Sequence, residues 1–187
     1  MTMPSAEGNR SVADIDVENL EIIRESVRVL ADQAAATTGL RRGMRVLDVA
    51  PQDHEGIGPY LQDDVELVTI DIDPDSGATV IGDICQLNAE LASGSFDLVF
   101  CTEVLEHVSN PFAAVREMHR LLRVGGWLYA SAPYDFRIHG PLPDNWRFTE
   151  HGWRELMRDF DDVEVFAVDN PLRFLMPIHY RVKGRRG

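Results

Sequence analysis

The chain is poor in the residues that mark several protein classes. It has two cysteines, Cys85 and Cys101, in 187 residues, and neither belongs to a C-x-x-C pair. Two isolated cysteines exclude a disulfide framework and a cysteine-based zinc site, and they fit the reducing cytoplasm. No apolar run approaches the ~18 residues of a membrane span, and residues 1–10 have no signal-peptide core. The sequence therefore predicts a cytoplasmic protein without a membrane segment.

Basic residues are also scarce. Eighteen Lys and Arg stand against 31 Asp and Glu, which gives a formal net charge of −13. Phosphate backbones are bound by clustered Lys and Arg, so this balance argues against a nucleic-acid partner. A basic cluster does close the chain, and we expect it to be a solvated tail. Its residues are Arg181, Lys183, Arg185 and Arg186.

The length and the 44% hydrophobic content fit one domain with a substantial core. Residues 1–15 are expected to be a flexible tail, and residues 16–187 a single domain with a core at 43–183. An amphipathic helix is predicted over 16–38 with Asp16 as its N-cap. Its apolar positions recur at spacings of three and four, which places them on one face. They are Leu20, Ile23, Val27, Leu30 and Ala34.

Apolar strand-like segments alternate with helical patterns in the rest of the chain. Asn110 is expected to cap a helix that starts at Pro111, presents Phe112 to the core and ends at Gly125-Gly126, and Thr149 to cap another. This alternation predicts an α/β fold: a Rossmann-like open sheet, mostly parallel, with an antiparallel C-terminal edge strand and helices on both faces. The predicted strands are Met44–Val49, Glu66–Ile70, Thr79–Ile81, Asp97–Cys101, Trp127–Ala132, Val163–Val168 and Phe174–Tyr180.

Three of the apolar segments end at a carboxylate: Asp48, Asp71 and Asp83. Ligands of open parallel sheets bind at the carboxyl ends of the strands, where the strand order reverses. A row of acceptor-only carboxylates there suits a ligand rich in hydroxyls and amines. A turn role is the alternative for Asp71 and Asp83, because both lie in good turn sequences.

Several motifs resemble the class I S-adenosylmethionine (SAM)-dependent methyltransferases over Met44 to Tyr180. They are the EVLEH motif at Glu103–His107, the segment LRVGGWLYASAP, and DNWRFTEHGWREL. The resemblance implies SAM as cofactor and methyl transfer to a small-molecule acceptor. The WRFT element favours a hydroxyl of a sugar or natural product, in glycan or natural-product biosynthesis.

The resemblance also implies roles for individual residues. Asp48 would lie near the methionine amino group of SAM, Asp71 would accept hydrogen bonds from the ribose hydroxyls, and Asp83 from the adenine amine. The other implied cofactor-binding residues are Ala50 in the loop after the first strand, Ile72 and Ile84 on the adenine faces, and Cys101 and Thr102 beside the methionine moiety. Simple packing in the core is the alternative for Cys101.

The loop after the first predicted strand departs from the family pattern D-x-G-x-G-x-G. It reads DVAPQDH, so Ala50, Gln52 and His54 stand where glycines are expected. Glycines there permit positive φ and close approach of the backbone to the ligand. Gly56 and Gly58 follow at once and could supply a displaced turn. The absence of G-x-G-x-x-G also counts against a nicotinamide dehydrogenase.

Glu103, Glu106 and His107 would share one face if their segment were a helix. Such a cluster could bind a divalent metal, as in some methyltransferases, or Glu103 could be structural; no metal ligand is assigned here. His107 and His139 are the candidate catalytic bases for a hydroxyl acceptor, because imidazole titrates near neutral pH. An exposed loop position is the alternative for His139.

The irregular segment 133–148 contains three prolines and is expected to be a lid over the site. Tyr134, Trp146 and Arg147 are its candidate substrate-binding residues. The alternative is that Trp146 and Phe148 only anchor the lid to the core.

Two other functions and a homodimer are also compatible with the sequence. A methyltransferase-like domain that binds a ligand or partner without turnover is the main alternative, because of the altered glycine loop. A different nucleoside donor, as in aminopropyl transferases, fits less well because their N-terminal β-hairpin region is missing. The helix over 16–36 could close the site or form a homodimer interface.

Overall fold

The computed structural model describes residues 14–51, 56–61, 64–170 and 173–187. The described elements alternate between strands and helices in the order that the sequence predicts. They are α1 (Asp14–Thr38), β1 (Arg45–Val49), a 3-10 turn (Gly58–Tyr60), β2 (Glu66–Asp71), β3 (Val80–Ile81), β4 (Phe96–Thr102), α2 (Pro111–Leu121), β5 (Leu122–Pro133), α3 (Glu150–Leu156), β6 (Asp161–Val168) and β7 (His179–Arg185).

The strands form one seven-stranded sheet in the order β3-β2-β1-β4-β5-β7-β6. The pairs among β1 to β5 are parallel, whereas β7 is antiparallel to both β5 and β6. The predicted fold class is confirmed. The strand order reverses between β1 and β4, so a crevice is expected at the carboxyl ends of these two strands.

Two apolar clusters cover the two faces of the sheet, as the alternation of side chains along each strand requires. One contains Leu30 and Ala34 of α1 with Phe100 and Tyr129 of the sheet. The other contains the buried residues of α2 and α3 with the opposite-facing positions of β1, β4 and β5, among them Met118, Trp153, Leu47 and Val99.

Helix α1 begins at Asp14, so the prediction of Asp16 as N-cap is wrong: Asp16 lies within the first turn. The predicted flexible tail falls mainly on residues 1–13, outside the described part of the chain. Gly39 ends the helix with φ +77°, and its N–H donates to Ala35 O at 2.9 Å. A left-handed glycine is the usual way to satisfy a terminal carbonyl.

Helix α2 begins as predicted, because Asn110 Oδ1 accepts from Ala113 N–H at 3.1 Å and Pro111 occupies the first turn. Two further expectations are wrong. Phe112 is 43% exposed, since the buried face follows Ala114, Met118 and neighbouring positions. The helix ends at Leu121, and Gly125-Gly126 lies inside β5, because pairing of Leu122 with Phe96 already commits this segment to the sheet.

The last strand lies later in the chain than predicted. Phe174 is 93% exposed, and the strand instead runs from His179 to Arg185, where it pairs with both β5 and β6. The expectation of a solvated basic tail is therefore wrong. Arg186, for instance, donates to Arg120 O at 3.0 Å and to Leu122 O. The basic side chains alternate along a paired strand, which composition alone does not reveal.

Candidate functional site

Two adjoining cavities lie at the carboxyl ends of β1, β2 and β4. The larger, about 760 Å³, lies between α1 and the irregular segment after β5. The smaller, about 430 Å³, lies along the ends of β2 and β3. Ala50, Glu103, His107 and Pro141 line both cavities, so the two form one continuous cleft. The strand-order reversal places the cleft where an open α/β sheet binds its ligand.

Helix α1 lines the larger cavity with Leu20, Ile23, Arg24 and Val27. Leu20 and Val27 are only partly buried, whereas Leu30 and Ala34 further along the same face are completely buried in the core. The first half of the apolar face of α1 therefore closes the cleft, and the second half packs on the sheet.

A turn at Gly56 replaces the glycine loop that the sequence lacks. Gly56 has φ +52°, and a Cβ on this residue would lie 2.1 Å from Asp48 Oδ2. The next residue, Ile57, donates its N–H to the same Asp48 oxygen at 2.8 Å. Ala50 takes the positive φ, +50°, that a glycine usually adopts there. Gln52 and His54 lie outside the described residues. Gly56 therefore keeps the backbone close to β1, as the predicted displaced turn requires.

Asp48 is buried at the base of this turn with 1% of its surface exposed. Burial raises the pKa of its carboxyl to about 7, although the hydrogen bond from the Ile57 N–H opposes the rise. The second oxygen, Oδ1, is buried and has no hydrogen-bond partner among the described residues. A cationic amino group in the cleft would satisfy this oxygen and favour the ionised carboxylate.

The predicted nucleoside-binding residues line the smaller cavity together. They are Asp71, Ile72, Asp83 and Ile84. Asp71 uses Oδ1 to accept from the Asp73 N–H at 2.9 Å, and the described residues leave Oδ2 without a partner. Ile72 is 69% exposed, so its side chain is open to contact with a ligand in this cavity.

Asp83 is more engaged than Asp71. Its Oδ1 accepts from the Cys85 N–H at 2.8 Å and its Oδ2 accepts from Gln86 Nε2 at 3.2 Å. These contacts are those of the turn role that the sequence left open. Either oxygen retains a free lone pair that can accept from a ligand amine.

The two predicted residues at the end of β4 differ in position. Thr102 lines the larger cavity. Cys101 is completely buried in the core cluster and lines neither cavity, and burial raises the pKa of its thiol well above the ordinary value. The Cys101 side chain thus packs in the core, which was the alternative to a cofactor-binding role.

The three predicted substrate residues lie on the lid but line neither cavity. Trp146 donates from Nε1 to Val108 O at 2.9 Å and stacks on Phe148. Arg147 pairs with Asp144 and donates to Arg137 O at 3.1 Å. Tyr134 packs edge-on against Tyr180. These contacts are those of anchoring residues, which was the alternative for Trp146 and Phe148.

The expected shared face of Glu103, Glu106 and His107 is wrong, because residues 103–110 form turns rather than a helix. Glu103 has φ +57°, which directs the chain away from a helical course. Its Oε1 accepts from Ser131 Oγ at 2.6 Å, on the β5 side. Glu106 points instead toward His107 and His139, so the lid supplies the third member of the cluster.

His107, His139 and Glu106 meet at the floor of the larger cavity. The Nε2 atom of each histidine lies 3.7 Å from Glu106 Oε1. Glu106 is completely buried, and burial raises the pKa of its carboxyl to about 7. The Glu106 carboxylate in turn raises the pKa of His139, whereas burial lowers the pKa of His107. The two candidate bases therefore have pKa values displaced in opposite directions, as in sites that divide acid and base roles.

A half-buried ion pair on the lid orients His139. Asp144 Oδ2 accepts from both the N–H and Nδ1 of His139, each at 3.1 Å, and Arg147 Nη2 donates to the same oxygen at 2.8 Å. Burial alone would raise the pKa of Asp144, but the hydrogen bonds from Arg147 and from the His139 N–H, together with the positive charge of Arg147, lower it to about 2. Arg147 thus acts on His139 through Asp144, which sequence spacing does not reveal.

One polar residue of the site was missed from the sequence. His179, at the start of β7, is completely buried, and its Nε2 lies 2.6 Å from Glu103 Oε1. Its Nδ1 lies 3.2 Å from Ser26 Oγ on α1. The chain Ser26–His179–Glu103 links α1 to the carboxyl end of β4. The sequence signal was a histidine inside an apolar strand-like run, but that run was assigned to the wrong residues.

Replacing His179 with leucine is expected to lower the free energy of unfolding by about 1–2 kcal/mol, because Glu103 Oε1 and Ser26 Oγ each lose one of their two hydrogen-bond partners. Urea unfolding measures the change, and a double-mutant cycle with Glu103→Leu isolates the pair. Strictly additive losses would contradict a direct contribution from the His179–Glu103 contact.

A family model described as a methyltransferase domain matches residues 25–130. The ubiquinone biosynthesis O-methyltransferase of Pseudomonas paraeruginosa is 46% identical over 43 residues, which is 23% of this chain and 18% of that protein. The thiol S-methyltransferase TMT1B of Homo sapiens is 29% identical over 111 residues, 51% of this chain and 45% of that protein. The matched segments thus span less than half the length of these relatives.

Solved structures share the fold over most of the chain. A SAM-dependent methyltransferase from Archaeoglobus fulgidus superimposes with a TM-score of 0.66 at 14% identity, covering 89% of this chain and 99% of that one. The 1,6-didemethyltoxoflavin N1-methyltransferase of Burkholderia thailandensis, solved with S-adenosylhomocysteine, has a TM-score of 0.62 at 19% identity, covering 96% and 93%. Among the described residues, no helix combines the length and hydrophobicity needed to cross a bilayer.

Proposed function

Since the chain belongs to the methyltransferase-domain family, we propose that it transfers the methyl group of SAM to a hydroxyl of a small molecule. The observation that carries this proposal is the continuous cleft. Its smaller cavity is lined by the strand-end residues that the family resemblance assigns to the nucleoside, and its larger cavity contains two imidazoles. One site can therefore hold a donor and an acceptor side by side.

The residues present fit SAM, which supplies an electrophilic methyl group on a sulfonium. Asp48, whose buried Oδ1 has no partner in the described part of the chain, would bind the amino group of the methionine moiety. Asp71 would accept from the ribose hydroxyls, and Ile72 and Ile84 would enclose the adenine. Gly56 leaves the space that a side chain would fill above Asp48.

The chain's contribution to the reaction is mainly alignment and proton removal. Holding two reactants in line can contribute roughly 7–11 kcal/mol to lowering the barrier. A hydroxyl must lose its proton as it attacks, and a neutral imidazole within hydrogen-bond reach can accept it. His107, whose pKa burial lowers, is the better candidate for an unprotonated base; His139, paired with Glu106, is the second.

The lining of the larger cavity and the composition of the chain support the proposed class of acceptor and cellular setting. The cavity beside His107 and His139 contains Phe136 and Arg137, which suits a hydroxylated ring of a sugar or natural product. A net charge of −13 disfavours nucleic acid. Two free cysteines favour the cytoplasm. The face of α1 that lines the cleft is also the proposed homodimer contact. A Leu20→Glu variant is then expected to sediment with a lower mass than the parent protein, and an unchanged mass would contradict the contact.

Replacing Asp71 with alanine tests the donor site. The affinity for SAM and for S-adenosylhomocysteine is expected to fall about 10- to 100-fold, because a charged acceptor of hydrogen bonds contributes roughly 1.5–3 kcal/mol. Calorimetric titration measures both ligands. Asp75→Ala, an exposed carboxylate in the same turn, is the matched control and should bind like the parent protein.

Transfer itself is tested with methyl-labelled SAM and a panel of phenols, sugars and hydroxylated polyketides. Labelled product from a hydroxyl compound, lost in His107→Ala and His139→Ala, would support the proposal. Label on nitrogen or sulfur acceptors only would overturn the hydroxyl assignment. Tight binding of SAM with no acceptor in the panel would favour the non-catalytic alternative, and absence of SAM binding would overturn the donor site.

A further inference from the structure

We propose that Glu106, His107 and His139 form a binding site for one divalent transition-metal ion. The ligand atoms of the three side chains lie within 4.8 Å of one another. Two histidines and one carboxylate on one side of an ion, with open positions on the other, are a common coordination set for first-row transition metals. The site is formed only in the tertiary structure, because His139 comes from the lid.

The outer nitrogen of each histidine is already occupied. His107 Nδ1 lies 3.0 Å from Pro143 O, and a carbonyl can only accept, so Nδ1 carries the hydrogen. His139 Nδ1 lies 3.1 Å from the Asp144 carboxylate, which likewise accepts. Both neutral rings therefore direct an Nε2 lone pair toward Glu106. Metal-binding histidines are held in this way by a carbonyl or carboxylate on the other nitrogen.

The carboxylate of Glu106 indicates a missing ligand independently of the two histidines. Its side chain is completely buried, and within the described part of the chain neither Oε1 nor Oε2 has a hydrogen-bond partner. Two nitrogen lone pairs at 3.7 Å from the same Oε1 add no donor, because three acceptors then face one another. Such an arrangement needs positive charge at its centre. One metal ion satisfies all three groups, whereas one proton can bridge only two of them.

The type of ion follows from the donors. Two imidazole nitrogens favour Zn²⁺, Fe²⁺, Co²⁺ or Ni²⁺ over Mg²⁺ and Ca²⁺, which prefer oxygen ligands. The backbone around the site is held by the lid, because the N–H groups of Asn145 and Trp146 donate to Glu106 O at 2.7 and 3.1 Å. The ligand from the lid is thus tied to the two ligands from the turn after β4.

The open side of the site faces the larger cavity, since His107 and His139 both line it. A hydroxyl oxygen of an acceptor there could coordinate the ion, which lowers the pKa of a bound hydroxyl as it does that of bound water. In the loaded state both Nε2 atoms would coordinate the ion and could not accept the proton, so the acidified hydroxyl would release it to solvent in the open cavity. This catalytic consequence rests on the proposed function, but binding of the ion does not.

The test uses full-length protein without a polyhistidine tag, treated with a chelator and then dialysed. Titration with Co²⁺ alone, followed by visible absorption and calorimetry, is expected to give one ion per chain with spectral bands of nitrogen ligation. His139→Ala and Glu106→Gln are expected to weaken Co²⁺ binding at least tenfold. His151→Ala, an exposed histidine on α3, is the matched control and should bind like the parent protein.

Asp144→Asn provides a second route if direct removal of a ligand unfolds the chain. Loss of an outer partner of a ligating histidine typically lowers affinity 10–100-fold, so weaker Co²⁺ binding by a variant that remains folded in thermal unfolding is expected. Absence of a one-to-one complex, or equal binding by the parent and both ligand variants, would overturn the proposal. SAM titration of the metal-free protein is scored separately, so failure of the donor site and failure of the metal site remain distinguishable.

Discussion

Replacing Gly56 with alanine is expected to abolish measurable SAM binding and to lower the free energy of unfolding by roughly 2–4 kcal/mol, because it combines overpacking with backbone strain. A Cβ on residue 56 would lie 2.1 Å from Asp48 Oδ2 and 2.5 Å from the Pro51 Cβ. The Asp48 carboxylate would have to move, which breaks the hydrogen bond from the Ile57 N–H. Calorimetric titration and urea unfolding measure the two effects.

Gly43→Ala separates the clash from the strain. Gly43 also has positive φ, +80°, but a Cβ there would meet nothing within 4 Å. This variant should lose only about 1 kcal/mol for the left-handed conformation and should bind SAM normally. If Gly56→Ala bound SAM as well as Gly43→Ala does, the turn at Gly56 would not be the replacement for the missing glycine loop.

Replacing Asp48 with asparagine is expected to stabilise the protein at pH 8 while weakening SAM binding at least tenfold. The folded protein holds a buried carboxyl whose pKa is about 7, against about 4 in the unfolded chain. Between these two values the folded state binds more protons than the unfolded state. The stability therefore falls as the pH rises from about 4 to 7 and is constant above that range.

Asparagine keeps an acceptor oxygen for the Ile57 N–H but carries no charge. The free energy of unfolding of the variant should equal that of the parent protein near pH 4 and exceed it by roughly 1–3 kcal/mol at pH 8. This gain is smaller than the maximum that a pKa difference of about three between the folded and unfolded states allows. Urea unfolding at several pH values measures this difference. Asp75→Asn, at an exposed position, should leave the dependence of stability on pH unchanged. If the pH dependence of Asp48→Asn ran parallel to that of the parent protein, Asp48 would not be a buried group that titrates in this range.

These two variants act on one small region, the turn between β1 and the cleft. The sequence alone marked this region as abnormal, since DVAPQDH lacks the expected glycines. The structure adds that Gly56 lies directly over Asp48, eight positions along the chain. Close approach of two backbone segments is a property of the folded chain, which a local pattern can only suggest.

The sequence by itself determined the α/β fold and the strand ends that line the smaller cavity. Apolar runs that stop at Asp48, Asp71 and Asp83 are local signals, and parallel strands bring their ends to one edge of the sheet. The capping residues Asn110 and Thr149 were also predictable, because an N-cap hydrogen bond spans three residues. Such features depend on neighbours in the chain.

Only the tertiary structure decided which groups meet in the larger cavity. Glu103 turns toward Ser131 and His179, from β5 and β7, while Glu106 turns toward His139 of the lid. The helical periodicity assumed for EVLEH failed because the positive φ of Glu103 breaks it. Contacts between residues 28 or more positions apart leave no periodic trace in the sequence, so the packing of the lid and of β7 on the sheet sets the chemistry of the site.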